Sequence, residues 1–455
     1  MMDDKHNSMS IVMYPWFAMG HLTAFLHMSN KLADGGHKIF FLLPRKTQAQ
    51  LKQFNLYPDL IDFIPLCVPQ VEGLPPGAET TADIPFHLQP NLRLAMDSTQ
   101  PQIESILQEI KPQVVFFDFT HWLPKLARRL GIKSIFFITM SSATSGYTFR
   151  GEQTTDADLM KAPPGFPSSC IKLLSHEARG LNFAGKVKEI GSGLSFLERL
   201  LISAEDCDAI GFKTCREMEG PYCEFIERKF KKPVMLAGPV LPEQATTTLE
   251  EKWEKWLSGF KAKSVIFCAF GSECRLQKDQ FQELLKGLEL TGLPFLAALK
   301  PPIGSETIEM ALPEGFNERI QGRGVVYGGW VQQQLILAHS SVGCFVTHCG
   351  SGSLSEGLVN ECQMVLLPQF GDQFINARLM GGDLRVGVEV ERGDEDGLFT
   401  KEGVCKAIRL VMDDGSEIGK EVRANHAKWR DFLLREGTES SYIDEFINKI
   451  KGLLN

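Results

Sequence analysis

The stretch WVQQQLILAHSSVGCFVTHCGSGSLSEGLVNECQMVLLPQFGDQ, residues 330–373, decides how this chain is read. Its apolar run at 344–347 leads into His348, Cys349 and Gly350, and a helix is expected to begin near Ser353. A strand that turns through glycine into a helix aims backbone N–H groups and the positive end of a helix dipole at one point, which suits a phosphate. His348 at that turn can donate to a diphosphate. Trp330 follows a strand and offers a flat face to a base. Glu356, three residues past Ser353, can accept from ribose hydroxyls. Asp372 and Gln373 follow the next strand and can bind sugar hydroxyls from its end. Each piece alone has a plainer account: Trp330 and His348 as core, Ser353 and Glu356 as a capping box, Asp372 and Gln373 as a loop and a helix cap. Their order and spacing together point to a nucleotide-sugar site.

Outward from this segment the pattern is strand, helix, strand. Strands are expected at 264–269, 295–298, 324–328, 344–347, 364–368 and 386–390, with helices at 281–290, 333–339, 354–360, 374–380 and 401–412. The first half repeats the scheme. Its strands are expected at 10–14, 38–43, 60–68, 114–117, 134–138, 209–214 and 233–237, with helices at 21–32, 47–54, 101–110 and 124–130. The runs VVFF and SIFFI are apolar on both faces, as strands covered by helices must be. The chain therefore reads as α/β, two doubly wound parallel sheets facing a cleft. The expected division is a first domain over 1–237, a linker GPVLPEQATTTLEEK over 238–252, a second domain over 253–435, and a helix over 436–455 that packs back on the first domain. Residues 153–193 have weak periodicity and read as loops and short helices, a candidate acceptor lid. Ligands of such sheets bind beyond the carboxyl ends of the strands, so the cleft is the expected reaction site.

Composition sets limits. At 455 residues the chain exceeds one hydrophobic core. A net charge of −8 argues against nucleic acid as a partner. No apolar run is long enough to span a membrane, and the acidic N-terminal MMDDKHN does not resemble a signal peptide. The 11 cysteines form no paired CxxC, so no metal site is expected and the thiols read as buried and free, in keeping with a cytoplasmic protein. A nicotinamide-binding half is excluded for want of GxGxxG after the first strand. Asp394–Asp396 (DED) lies in a polar stretch and reads as solvated charge.

Residues 330–373 resemble the plant secondary product glycosyltransferase box of UDP-dependent glycosyltransferases, which opens with Trp, carries an HCGWNS core and closes with Asp-Gln. The resemblance implies a GT-B fold with UDP-sugar held mainly by the second half. It implies that Trp330 stacks on uracil, Glu356 binds ribose, His348 and Ser353 hold phosphates, Asp372 and Gln373 bind the sugar, and Ser272 of FGS lies near the diphosphate. Val331, Gln333, Gly350, Ser351, Gly352 and Thr139 belong to the same implied UDP-sugar site. Ser351-Gly352 stands where the family has Trp-Asn, which alters the donor pocket. The HCGSGSLSE form is similar to a subgroup acting on sugars already attached to flavonoids or anthocyanins. Gln373 leans towards glucose, although that subgroup also uses xylose and rhamnose.

The base is expected from the first half. His21, in YPWFAMGHLTAF, follows the first strand at the start of a helix, where the dipole favours the neutral imidazole. Asp118, in VVFFDFTHW, ends another strand, and a carboxylate there can hold the imidazole tautomer. Thr139 ends a third, as a donor-sugar contact or a plain strand-ending hydroxyl. His27, His37 and His121 are rivals to His21. Phe17, Met19, Phe119 and Trp122 are candidates for an apolar acceptor wall or for core. The reading is a monomeric inverting transferase without a metal, acting from UDP-sugar on a flavonoid or anthocyanidin 3-O-glycoside at the 2″ hydroxyl. A terpenoid or other small-molecule glycoside is the alternative acceptor, and a silent nucleotide-sugar-binding protein the alternative of another class.

Overall fold

Short β-branched and aromatic runs bury both faces in parallel sheets, and that rule builds each half of this molecule. The computed structural model describes residues 8–150, 154–189, 191–239, 241, 247–271 and 273–455. The first sheet has seven strands: β1 (Ser10–Tyr14), β2 (Lys38–Pro44), β3 (Ile61–Leu66), β4 (Val114–Phe117), β5 (Lys133–Ile138), β6 (Ala209–Phe212) and β7 (Val234–Leu236). They lie in the order β3-β2-β1-β4-β5-β6-β7. The second sheet has six: β8 (Val265–Ala269), β9 (Phe295–Ala298), β10 (Gly324–Tyr327), β11 (Val342–Thr347), β12 (Gln363–Leu366) and β13 (Gly387–Glu389), in the order β10-β9-β8-β11-β12-β13. All registers are parallel; Met13 pairs with Phe116 and Val346 with Cys268. Strand order reverses between β1 and β4 in the first sheet and between β8 and β11 in the second. A crevice opens at such a reversal, because the flanking connections leave on opposite faces.

Several boundaries differ from the sequence expectation. The helix expected from 354 begins at Ser351, because the weak helix formers Ser351, Gly352 and Ser353 occupy its first turn. The expected linker ends in a helix, Glu251–Leu257, which buries Trp253 and Leu257 against the second sheet. Residues 240 and 242–246 of that linker lie outside the described residues. Helix Arg216–Phe230 was hidden in the sequence by Pro221 inside it.

The final helix, Thr438–Leu454, places Ile443, Phe446, Ile447 and Ile450 on one face by their i, i+3, i+4, i+7 spacing. These side chains join Ile11, Met13, Phe116 and Phe137 of the first sheet in a single buried cluster. Burying each is worth about 1.5–3 kcal/mol, enough to hold the helix there. A further apolar cluster joins the halves, packing Ala143, Tyr147, Ile171 and Leu173 against Leu354, Leu358, Met380 and Leu433. All 11 cysteines are free, and Cys67 and Cys170 alone are exposed. No helix among the described residues is long and apolar enough to cross a membrane.

Candidate active site

The reversal in the first sheet carries the candidate base. His21 sits just beyond β1, in the first turn of the helix Met19–Asp34, and Asp118 follows β4, the neighbouring strand. His21 Nδ1 lies 2.7 Å from Asp118 Oδ2. Asp118 is 1% exposed, and its other oxygen accepts from Phe119 N at 2.6 Å. A carboxylate only accepts, so the proton of this bond sits on Nδ1 and leaves Nε2 with its lone pair free. Thr139, ending β5, brings Oγ1 within 3.1 Å of Nδ1 and 3.5 Å of Nε2. Three strand ends therefore converge on one imidazole.

The rival histidines are engaged elsewhere. His121 Nδ1 lies 2.8 Å from Arg199 Nη1, which can only donate, so this nitrogen is an acceptor directed away from Asp118. Arg199 is buried, pairs with Asp97 and Glu189, and donates to Phe119 O at 3.1 Å, bracing the loop that follows Asp118. His37 Nδ1 accepts from Met9 N. His27 lies along the helix, and burial pushes its pKa down to about 4. In the candidate acceptor wall, Phe17 is wholly core, whereas Phe119 meets the His21 ring edge-on at 5.0 Å between centroids. Met19 and Trp122 are half-buried.

The reversal in the second sheet carries the residues expected at the donor. His348 follows β11, and its ring packs against the Gly271 and Gly350 backbones. A Cβ at Gly350 would stand 2.7 Å from His348 Nε2, and one at Gly271 3.0 Å, so only glycine fits at either place. Burial pushes the His348 pKa down to about 4, leaving the ring neutral. Cys349 adopts φ of 66°, the left-handed region, which a non-glycine residue enters only when its surroundings hold it there. Gly350 caps the helix Ser351–Val359. Ser353 lies in its first turn, so it is no N-cap, and the capping-box account of Ser353 and Glu356 does not hold. Glu356 instead accepts from Gln333 and Gln334, and Ser353 Oγ takes a contact from Gln333 Nε2 at 3.2 Å. Burial raises the Glu356 pKa and those amides lower it.

Trp330 is 75% exposed, with its ring uncovered, while its neighbour Val331 is buried. Gln332 ties this end of the segment to the linker, donating to Thr248 O at 3.0 Å and accepting from Glu250 N at 2.7 Å. Asp372 caps the helix Gln373–Arg378. Burial raises its pKa; the hydrogen bond from Asn376 lowers it, as does a proton on His21 across the cleft when that ring is charged. Gln373 is buried, and its Oε1 accepts from Gln369 N and Phe370 N at 3.0 and 3.2 Å. That oxygen shapes its own loop. A Cβ added at Gly352 meets nothing within 4 Å, so the place of the family's asparagine is open space. Ser272 lies outside the described residues.

The region expected to be a lid instead joins the halves. Helix Ser175–Lys186 meets the second domain at its N-terminal end. Asp394, expected as solvated charge, accepts from Ser175 N and Oγ at 3.1 and 2.6 Å. Glu177, fully buried, accepts from Arg378 Nη2 at 2.8 and 3.0 Å, and Arg378 also pairs with Glu389. Ser168 and Tyr222 both bond to Asp383.

Two family models match the chain: "UDP-glucoronosyl and UDP-glucosyl transferase" over residues 250–422, and "Glycosyltransferase, N-terminal domain" over residues 7–124. The chain is 61% identical over 450 residues to a cyanidin 3-O-galactoside 2''-O-xylosyltransferase of Actinidia chinensis var. chinensis, covering 98% of each chain. The chain belongs to the UDP-dependent glycosyltransferases. This glycosyltransferase is also 56% identical, over the full length of both chains, to an anthocyanidin 3-O-glucoside 2''-O-glucosyltransferase of Ipomoea nil. Its fold is GT-B. It superposes on UGT73P12 of Glycyrrhiza uralensis with a TM-score of 0.82 at 22% identity, covering 98% of this chain and 96% of that one. A UDP-glucosyltransferase of Polygonum tinctorium gives 0.80 at 22% identity, covering 98% and 99%.

Sequence reasoning missed two features of the glycosyltransferase site. Asn376 touches both halves, and Arg378 pairs with Glu177 from the other half. Both lie on the helix after Asp372, four and six residues on, and that spacing was the available signal. Their partners stand 235 and 201 residues away in the chain, beyond any local pattern.

Proposed function

We propose that the enzyme transfers a sugar from a UDP-sugar to the 2″ hydroxyl of the sugar on an anthocyanidin or flavonoid 3-O-glycoside, with inversion. Identity of 56–61% over nearly whole chains to enzymes named for that transfer carries the acceptor reading. The His21–Asp118 contact of 2.7 Å supports the mechanism. In it, the acceptor oxygen attacks the anomeric carbon as its proton passes to His21 Nε2, and the bond to the diphosphate breaks on the opposite face. Asp118 fixes the tautomer and offsets the charge that grows on the imidazole. The departing diphosphate faces the N-terminal end of Ser351–Val359 and His348, where partial positive charge is already in place. Trp330 stacks on the base, Glu356 receives the ribose hydroxyls, and Asp372 with Gln373 holds the sugar. The retained dyad favours an active transferase over a silent binding protein.

The two relatives divide between xylosyl and glucosyl donors, and Ser351-Gly352 leaves the sugar end of the pocket open. The test is incubation with UDP-glucose, UDP-xylose and UDP-rhamnose against cyanidin 3-O-glucoside, cyanidin 3-O-galactoside, flavonol 3-O-glucosides and terpenoid glucosides, with linkage read by NMR. A 1→2 disaccharide on the 3-O-position is expected. Transfer to the aglycone, or to terpenoid glucosides alone, would refute the acceptor assignment.

A further inference from the structure

We infer that Asn376 is a positioning residue of the transfer reaction: it aims Asp372 at the donor sugar and makes that aim depend on the first domain being in place. The inference rests on the reading of Asp372 as a sugar ligand. Asn376 is buried, and its carboxamide is fully engaged. Nδ2 lies 3.0 Å from Asp372 Oδ2 and 3.2 Å from Cys349 O. Oδ1 lies 2.8 Å from Ser141 Oγ and 3.2 Å from Thr144 Oγ1. The chemistry admits one orientation. A carboxylate and a carbonyl only accept, so the NH2 faces them, and the two hydroxyls then donate to the oxygen.

The partners are what make this side chain more than a helix contact. Ser141 caps the helix Ser142–Thr148, two residues beyond Thr139, which touches His21. Cys349 is the left-handed residue between His348 and the cap of the diphosphate-facing helix. Asp372 begins the helix that Asn376 belongs to. One amide thus links the strand end beside the base, the strained turn of the donor loop and the sugar carboxylate. Its two donor bonds lie within the second domain and its two acceptor bonds reach the first. If the domains part, Oδ1 loses both hydroxyls, and the amide is free to turn and release Asp372. Sugar binding and domain closure are therefore coupled through a group that touches no reacting atom.

Three variants and two ligands test this. With Asn376→Ala, the Kd of UDP alone, measured by calorimetry, is expected to move far less than kcat/KM for the UDP-sugar, because Asn376 reaches the diphosphate turn only through the Cys349 carbonyl. The kcat/KM for the preferred UDP-sugar is expected to fall roughly ten- to a hundredfold, the range for a lost hydrogen bond to a charged group. Asn376→Asp keeps the shape but sets a second carboxylate against Asp372. Two such groups share one proton, and a protonated acid restores the donor. Its kcat/KM relative to wild type is expected to rise as pH falls from about 8 to about 6. Asp372→Asn reports on the underlying reading: it should weaken UDP-sugar use with the UDP Kd intact. If Asp372→Asn changes nothing, the sugar role of Asp372 is wrong, and the inference goes with it. Should Asp372→Asn be impaired while Asn376→Ala is not, the inference alone is overturned. A parallel loss of UDP affinity in Asn376→Ala, or a pH-independent ratio for Asn376→Asp, reduces Asn376 to a structural residue and equally overturns it.

Discussion

His21 can act as a base only while Nδ1 is protonated and Nε2 is bare, and Asp118 secures the first condition by accepting from Nδ1 at 2.7 Å. His21→Ala should lower kcat by roughly 10²–10⁴ with UDP affinity unchanged, the usual worth of a positioned base. Asp118→Asn keeps the shape but presents an amide that can donate to Nδ1, which favours the wrong tautomer. A loss of the same order in initial rates is expected, with the thermal midpoint little altered. Near-normal turnover in either variant would move the base elsewhere. These residues were legible in the sequence because each follows a strand, His21 at the start of the helix after β1 and Asp118 directly after β4, and in a doubly wound sheet the carboxyl ends of neighbouring strands meet by construction. Gln373 shows the limit of that reasoning. Its place beside Asp372 was readable, but its oxygen is turned back onto the loop at Gln369 and Phe370. Backbone hydrogen bonding of that kind has no signature in side-chain order.

Among elements, the helix Ser351–Val359 opens with Ser351-Gly352, where the family box that the sequence resembles has Trp-Asn. Gly352 sits in its first turn, exposed, with open space where a Cβ would go. A glycine inside a helix is roughly 0.5–1 kcal/mol worse than alanine. Gly352→Ala should therefore raise stability by about that amount, read as a higher denaturation midpoint. Gly352→Asn should in addition tighten UDP, by adding a donor at the helix end. A clash-driven loss of folding in Gly352→Ala would contradict the open space. The same run explains why the helix, expected from 354, begins three residues earlier at Ser351: serine and glycine give no helical signal before Leu354. The helix Met19–Asp34 carries a second test. His27 has a pKa of about 4 in the folded chain against about 6.5 in a free side chain. Between these values the unfolded state binds more protons, so this histidine's contribution to stability is lost as pH falls from about 6.5 to about 4. The melting temperature of His27→Gln should decline less steeply than that of wild type over that window.

At the scale of the whole molecule, the two doubly wound sheets followed from the alternation of strand and helix patterns. The contacts between the halves did not, because they pair residues some two hundred positions apart. Arg378 shows what those contacts are worth. It stands between Glu177 of the first domain and Glu389 of the second, and Glu177 is wholly buried. Arg378→Met would remove the guanidinium bonded to that buried carboxylate and leave it only the charge of Arg392 and the Leu174 N–H, at a cost of up to about 3–5 kcal/mol. A large fall in the urea midpoint is expected; an unchanged midpoint would show that the halves hold together without this bridge.

The final helix bears on how such a chain comes to be folded at all. Ile443, Phe446, Ile447 and Ile450 complete the core around β1 and β4, strands made near the start of synthesis. The first domain emerges from the ribosome with a gap in its apolar interior, and the gap closes only after the entire second domain has been made. Completing that part of the first domain's core therefore requires the segment 438–454, whatever the order in which the rest of the domain folds.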